Sequence, residues 1–353
     1  MARSLETTLG SLRLKNPVIA GAGEHLMTAS GIRAAVDAGA SVVVAKSFNE
    51  SEAARDQLDR TDYALIDSNF QRLPWDFSPP RDATLACRSG LTRVSFDEWL
   101  ETIVTLDREA AKSDCIVAAN IILADLDAAV DMARKVEQAG VRLLEFNFGT
   151  PYGDEAGGAV STERATDRVT EIVSAVTSQI DIPVWAKITG QSENVTSLVR
   201  AAQDGGADCT VLMGRYMGLV PDLDTMAPLL DTYLGIGGAW SLPLTCYWLS
   251  RTRKTLGPDV PLIAINGGRS GHDVARFMLA GAHAAELCTA VMTGGFRVIE
   301  DAVTELSSYL DKQDRDAAQI IGLAADRVKT FQELPLRPGF WEGFVPPETL
   351  SDL

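Results

Sequence analysis

Short, nearly continuous apolar runs recur along the chain. Each is followed by a polar or glycine-bearing loop and then by an amphipathic stretch that ends at glycine. The runs fall at 17–20, 41–45, 116–121, 143–148, 184–188, 210–213, 262–265 and 284–287. Their apolar character without alternation predicts strands covered on both faces, as in a parallel sheet. The intervening helices close on related sequences: DAGA at 37–40, QAGV at 138–141, DGGA at 204–207 and LAGA at 279–282. Each puts glycine where a helix needs a left-handed C-terminal residue. Eight strand–helix units in one chain predict an α/β fold, a (β/α)8 TIM barrel, with a doubly wound open sheet as the runner-up.

Two segments break the rhythm. Residues 48–95 are too long for a strand–helix loop and carry Asn69, Phe70, Pro74, Trp75, Phe77, Pro79 and Pro80, so they predict an inserted lid after strand 2. A second excursion, 215–241, is expected to cover the same mouth. The barrel with its lid is expected over 1–312. A C-terminal region follows over 313–353, with a helix at 317–329 and an aromatic, proline-rich end, LPLRPGFWEGFVPPE, expected to pack on the barrel or on a partner subunit.

Within the repeat, 261–289 carries the most chemistry: a strand, a turn at 266–271, a helix at 272–280 and a second strand. Gly267, Gly268 and Gly271 let backbone amides turn inward ahead of a helix start, an arrangement suited to an anion. In a barrel of this type the loops after the last two strands are the usual phosphate cradle, and the second of these strands runs into Cys288 and Thr289. The other strand ends supply Gly21, Lys46, Ser47, Asn120, Asn147, Lys187, Gly214 and Arg215. Lys46 and Lys187 each directly follow an apolar run (VVVAK and PVWAK), and an ammonium in an enclosed mouth needs anionic company. A planar, electron-rich ligand with a phosphate tail satisfies the set.

Composition narrows the classes. The 353 residues are 46% hydrophobic and 23% charged, ordinary for a globular protein. A formal net charge of −16 argues against nucleic acid or an anionic membrane as partner. No apolar run approaches a membrane span, which makes the cytoplasm the expected compartment. The five cysteines lack a CxxC pair, and His25, His272 and His283 have no metal-ligand spacing, so neither an iron–sulfur cluster nor a metal site is expected.

LLEFNFGTPYGDEAGG resembles the E-L-N-L-S-C-P stretch of the dihydroorotate dehydrogenase family, in particular the flavin domain of dihydropyrimidine dehydrogenases. The likeness continues through LKNPVIAGAG, VVVAKSF, IPVWAKIT, LGIGGAWSLP, LIAINGGRSG and ELCTAVM, and covers roughly 5–310 apart from the 48–95 insertion. It implies an FMN-dependent oxidoreductase that exchanges a hydride with a small substrate. By the same resemblance the FMN phosphate would lie on Gly267, Gly268 and Thr289, beside Gly237 and Gly238 of the GIGG turn, with Asn266 and Cys288 in the same cradle. Lys187 would sit at the N1/O2 edge of the ring and Lys46 at the N5/O4 side, where it would take part in the chemistry. Asn120 and Asn147 would hydrogen-bond ring or substrate; Ala20, Gly21 and Ser47 would line the ring plane.

The chain departs from the family pattern where the reaction is performed. The family's active-site base is a Cys or Ser after Asn147; here the position is Thr150, with Tyr152 two residues on, and either is a candidate to move the substrate proton. Asp154 and Glu155 follow in the same loop. Family asparagines that read the substrate are replaced by Asp67 and Asn69, or by Cys87, Arg88 and Ser89, according to how the insertion aligns, and by Arg215 after the sixth strand. A fixed cation suits a carboxylate, sulfonate or phosphate, so a small anionic or amide-bearing substrate is expected rather than dihydroorotate or uracil. Without cluster cysteines, a partner protein or a soluble acceptor must handle the electrons, and the aromatic tail suggests a homodimer. Two other readings stay open: a flavin-free lyase or aldolase with Lys187 or Lys46 as a Schiff-base amine, and a non-catalytic flavin-binding subunit.

Overall fold

The computed structural model describes residues 3–149 and 163–350. Near the N-terminus β1 (Thr7–Leu9) and β2 (Leu12–Leu14) form an antiparallel hairpin. The next strands are β3 (Val18–Ala20), β4 (Val42–Val44), β5 (Asp62–Ile66), β6 (Arg72–Leu73), β7 (Thr84–Arg88), β8 (Ile116–Ile122), β9 (Leu144–Asn147) and β10 (Val184–Lys187). Then come β11 (Cys209–Leu212), β12 (Tyr216–Gly218), β13 (Leu234–Gly238), β14 (Leu262–Ile265) and β15 (Ala284–Leu287). Eight of them close in the order β3-β4-β8-β9-β10-β11-β14-β15, every pair parallel, with helices around the outside. The fold is a (β/α)8 TIM barrel, and each of the eight apolar runs of the sequence supplies one of its strands.

Two apolar regions stabilise it by removing side chains from water. Outside the strands, Val43, Val117, Phe146, Ala186, Leu212, Ala264 and Leu287 pack against the helix ring. Inside, Ile19, Val44, Ala118, Leu143, Trp185, Cys209 and Ile263 fill the barrel, and Leu9 and Leu14 of the hairpin join this inner core. The interior is therefore solid, and chemistry is confined to the mouth at the strand C-terminal ends.

The two long excursions form one structure. β5, β6 and β7 come from the 48–95 insertion and β12 and β13 from the second excursion, and together they make a five-stranded sheet in the order β12-β13-β7-β5-β6. All its pairings are antiparallel, and the join is β13 on β7, Gly235 to Gly238 against Cys87 to Thr84. Leu65, Leu85 and Cys87 form one small core, Ala64, Ala86, Leu230 and Leu234 another.

The C-terminal helix is shorter than its sequence predicts, ending at Ile320 rather than near 329. Ile321 is extended and Gly322 has φ +79°, and a Cβ on that glycine would overlap Arg253 Nε at 2.1 Å. Arg253 uses the space to hold Asp326 at 2.9 Å. Beyond it the aromatic end stays exposed on this chain, with Phe331 91%, Leu336 94% and Phe344 75% accessible.

Candidate active site

The uppermost layer of inward-facing residues is polar, and it forms the floor of a cavity at the barrel mouth. Asn120 on β8, Glu145 on β9, Lys187 on β10 and Glu286 on β15 meet there, all buried. Lys187 Nζ donates to Glu145 Oε1 at 3.0 Å and to Glu286 Oε2 at 2.7 Å. Asn120 Nδ2 donates to Glu145 Oε1 at 2.5 Å. Burial alone would lower the Lys187 pKa, but the two carboxylates outweigh it and push it above the ordinary lysine range. The Glu145 carboxyl is held well above its usual range by burial and then by the charge of Glu286, against the pull of Lys187.

Lys46 forms the facing wall. Its Nζ lies 3.2 Å from Glu24 Oε1, and the backbone amide of Gly90 donates to the same oxygen at 3.3 Å. Burial raises the Glu24 pKa, but Lys46 and Arg215 override it and hold the carboxyl near 2, so it is ionised. The Trp99 indole N–H donates to the Lys46 carbonyl at 3.1 Å and fixes the backbone there. Arg215, just past β11, reaches under the antiparallel sheet: Nη2 donates to Ser89 Oγ at 3.1 Å and Nη1 lies against Cys87 Sγ. The second excursion thus places a guanidinium over the mouth, and the first holds it.

The seam between β14 and β15 supplies the glycine-lined side. Asn266 and Gly267 both have positive φ, 78° and 100°. A Cβ on Gly267 would sit 2.4 Å from the Leu242 amide nitrogen, so only glycine fits. Ser241 Oγ donates to Asn266 Oδ1 at 2.9 Å and Thr245 Oγ1 to the Asn266 carbonyl at 2.9 Å, which pins the turn. From the sheet, Gly237 faces this turn. A Cβ there would lie 3.1 Å from Asn266 Oδ1, 3.5 Å from Thr289 Oγ1 and 3.6 Å from Arg215 Cγ.

Of the residues singled out in the sequence, Lys46, Ser47, Asn147, Lys187, Arg215, Asn266, Gly267, Gly268, Cys288 and Thr289 line this one cavity. Gly237 stands beside it, whereas Gly238 faces Ala83 and Thr84 of the sheet. Ala20 is fully buried in the wall, Gly21 lies against Glu286 and Cys288, and Asn120 is committed to Glu145 beneath the floor. Asp67 and Asn69 are not brought to the cavity: they form the β5–β6 turn, where the Asp67 carboxylate accepts from the Asn69 and Gln71 amides at 2.8 Å. Arg88 turns away to donate to the Leu230 carbonyl at 2.8 Å, and Cys87 is buried beneath Arg215. Thr150, Tyr152, Asp154 and Glu155 lie outside the described residues.

Three acidic residues of the site were missed in the sequence. Glu145 and Glu286 were legible in principle, since each interrupts an apolar strand (LLEFN and AAELC) and a carboxylate so placed must find a cation. Glu24 sits in the loop after β3 and carries no comparable signal.

His25, beside Glu24, has both ring nitrogens buried and without a hydrogen-bond partner among the described residues. Burial pushes its pKa down to about 4, and burial pushes His283 down to about 4 as well. Both are neutral in the folded protein at pH 7, while in the unfolded chain they titrate near 6.5. Between those values the unfolded chain binds protons that the folded protein does not. Stability should therefore fall as pH is lowered from about 6.5 toward 4, by at most about 1.4 kcal/mol per pH unit for each histidine. Urea unfolding across that range checks it, and the dependence should weaken in His25→Gln.

Comparison with known proteins agrees with this fold. The family model described as dihydroorotate dehydrogenase matches residues 73–310. The catalytic subunit of dihydroorotate dehydrogenase B (NAD(+)) from Pyrococcus horikoshii is 28% identical over 324 residues, covering 91% of this chain and 98% of that protein. The chloroplastic dihydropyrimidine dehydrogenase (NADP(+)) of Arabidopsis thaliana is 24% identical over 326 residues, covering 88% of this chain and 74% of that one. Among solved structures, a dihydroorotate dehydrogenase from Eimeria tenella in complex with ferulenol superposes with a TM-score of 0.70 at 15% identity, over 92% of this chain and 89% of that one. With the family model matching 73–310, more than half of its length, the chain belongs to the dihydroorotate dehydrogenase family of oxidoreductases.

Proposed function

We propose that this chain is an FMN-dependent oxidoreductase that exchanges a hydride between the flavin and a small substrate bearing an anionic or amide group. The observation that carries the reading is the convergence of Lys46, Lys187 and the glycine-lined β14–β15 seam on one cavity. The residues fit the group. A side chain at Gly237 would intrude between Asn266, Thr289 and Arg215, so glycine there keeps room for a phosphate tail. Gly267, Gly268, Cys288 and Thr289 would hold that tail, with Lys187 and Lys46 at the ring. When bound, FMN supplies the hydride-exchanging ring, and charge close to that ring sets its potential.

The chain's own residues bind, orient and exclude. Arg215, fixed by Ser89, offers a guanidinium to an anionic substrate, and Lys46 offers an ammonium already steadied by Glu24. Ser89, Gly90 and Leu91, which follow β7 of the antiparallel sheet, border the cavity. Thr150 or Tyr152 is the proposed group that moves the substrate proton. A partner protein or a soluble acceptor would then carry the electrons away.

A Schiff-base lyase built on Lys187 is disfavoured on this geometry. A nucleophilic lysine needs a depressed pKa, and Lys187 is pushed the other way by two carboxylates. Photoreducing the FMN-loaded protein and offering a panel of unsaturated acids and cyclic amides tests the proposal. Reoxidation by a member of the panel is expected; reduced flavin left untouched by all of them would leave a non-catalytic flavin-binding subunit. Arg215→Gln should raise KM for an anionic substrate about tenfold, roughly 1.4 kcal/mol, with a smaller effect on an uncharged one. Steady-state kinetics on the pair reads the difference.

A further inference from the structure

The floor of the cavity carries more carboxylate than its single lysine can neutralise. Glu145 and Glu286 are 0% and 2% exposed, and both contact the same Lys187 nitrogen, at 3.0 and 2.7 Å. Their other oxygens, Glu145 Oε2 and Glu286 Oε1, are buried with no hydrogen-bond partner among the described residues, as is Asn120 Oδ1. Three acceptors without a protein donor meet in one buried cluster. Two ionised carboxylates there would repel each other in a low dielectric, with only one ammonium to offset them. One proton removes the repulsion and lets one carboxyl donate to the other, because a carboxylic acid is itself a donor and only one negative charge remains.

We propose that Glu145 and Glu286 hold one proton between them, so that the Lys187 cluster beneath the cofactor position is electrically neutral and keeps a proton at the barrel floor. The elevated pKa of Glu145, caused by burial and then by Glu286, agrees with this. Among the described residues, the thiols nearest the pair add no charge to it. The Cys209 thiol on β11 is pushed well up by burial and then by Glu286, and Cys288 up to about 11 by burial, so both are neutral. Thr210 on β11 and Asn120 on β8 carry no charge, and Lys46 is paired with Glu24 on the facing wall.

The functional half of this inference rests on the FMN reading, because the charge beneath the ring helps to set its potential. The proton count itself does not. Infrared difference spectra of the full chain without flavin, wild type minus Glu145→Gln and wild type minus Glu286→Gln at pH 7, test it directly. A protonated-carboxyl C=O band that shifts in D2O and is lost in both isosteric variants is expected, since either remaining glutamate is then ionised by Lys187. Absence of that band, or its survival in either variant, overturns the proposal.

With FMN bound, the midpoint potential counts the same charge. Each single variant keeps the cluster neutral and should leave the neutral-pH potential unchanged, whereas the double variant leaves Lys187 uncompensated and should raise it. A rise in each single variant would mean that both carboxylates are ionised. That result refutes the single shared proton, and the single variants decide it even if the double variant fails to fold. Failure to bind FMN at all, with the infrared band present, would refute the cofactor assignment and leave the shared proton standing.

Discussion

Lys187→Ala is expected to lower the potential of bound FMN and to cost about 3–5 kcal/mol of stability, the range for removing one partner of a buried ion pair. Lys187 is 7% exposed and is the cation that both floor carboxylates touch. Without it, the one negative charge that the two glutamates retain is buried with no cation beside it, and the protein can neutralise it only by taking up another proton. The folded-state carboxylate pKa values in the variant would then lie above their unfolded values. Such a group stabilises the fold when protonated and loses that contribution as pH rises, so the deficit should be larger at pH 8 than at pH 5. Urea unfolding of wild type and variant at the two pH values measures it. A deficit that is small and independent of pH would show that the lysine carries no structural charge at this position.

Gly237→Val is expected to abolish tight FMN binding while sparing the fold. The positive-φ glycines of the chain do not include Gly237, so a β-branched residue meets no backbone strain there. Its side chain would enter the space bounded by Asn266, Thr289 and Arg215. A decrease in FMN affinity of about tenfold or more, at least roughly 1.4 kcal/mol, should appear with little change in unfolding midpoint. Gly268→Val is a poorer probe. A Cβ on Gly268 would point at Phe277 Cε2, 2.7 Å away, and so would disturb the core behind the loop before it reached the cavity. Flavin content and thermal unfolding of the two variants together separate obstruction from misfolding: Gly237→Val should lose flavin alone, Gly268→Val both.

Much of this architecture was legible in the sequence because a barrel strand has one physical signature. It is covered on both faces, so its apolar run lacks alternation, and the eight runs found on that basis coincide with β3, β4, β8, β9, β10, β11, β14 and β15. Lys46, Lys187, Arg215 and the Asn266–Gly267–Gly268 turn were legible for a related reason, since the residue after such a run faces the mouth. The antiparallel sheet was not. Its strands lie far apart in sequence, β7 at Thr84–Arg88 and β13 at Leu234–Gly238, and β13 is LGIGG, with little β-propensity of its own. Its pairing depends on the barrel bringing the two excursions together. Asp67 and Asn69 misled for a similar reason: their polar side chains resemble a substrate-reading loop, yet the Asp67 carboxylate is spent on closing a local turn. The C-terminal helix was overestimated because Gly322 ends it for the sake of a long-range contact with Arg253, which no local pattern announces.

On the proposed reading, the mouth of this barrel binds a flavin through its phosphate as well as its ring. Titrating the purified, flavin-stripped chain with FMN and, separately, with riboflavin, and following the quenching of flavin fluorescence, tests it most directly. One equivalent of FMN should bind, at least about tenfold more tightly than riboflavin, which lacks the phosphate and so forfeits charge-assisted hydrogen bonds in the β14–β15 cradle. Equal affinity for the two would mean that the β14–β15 cradle holds no phosphate, and no binding of either would mean that this barrel is not a flavin site.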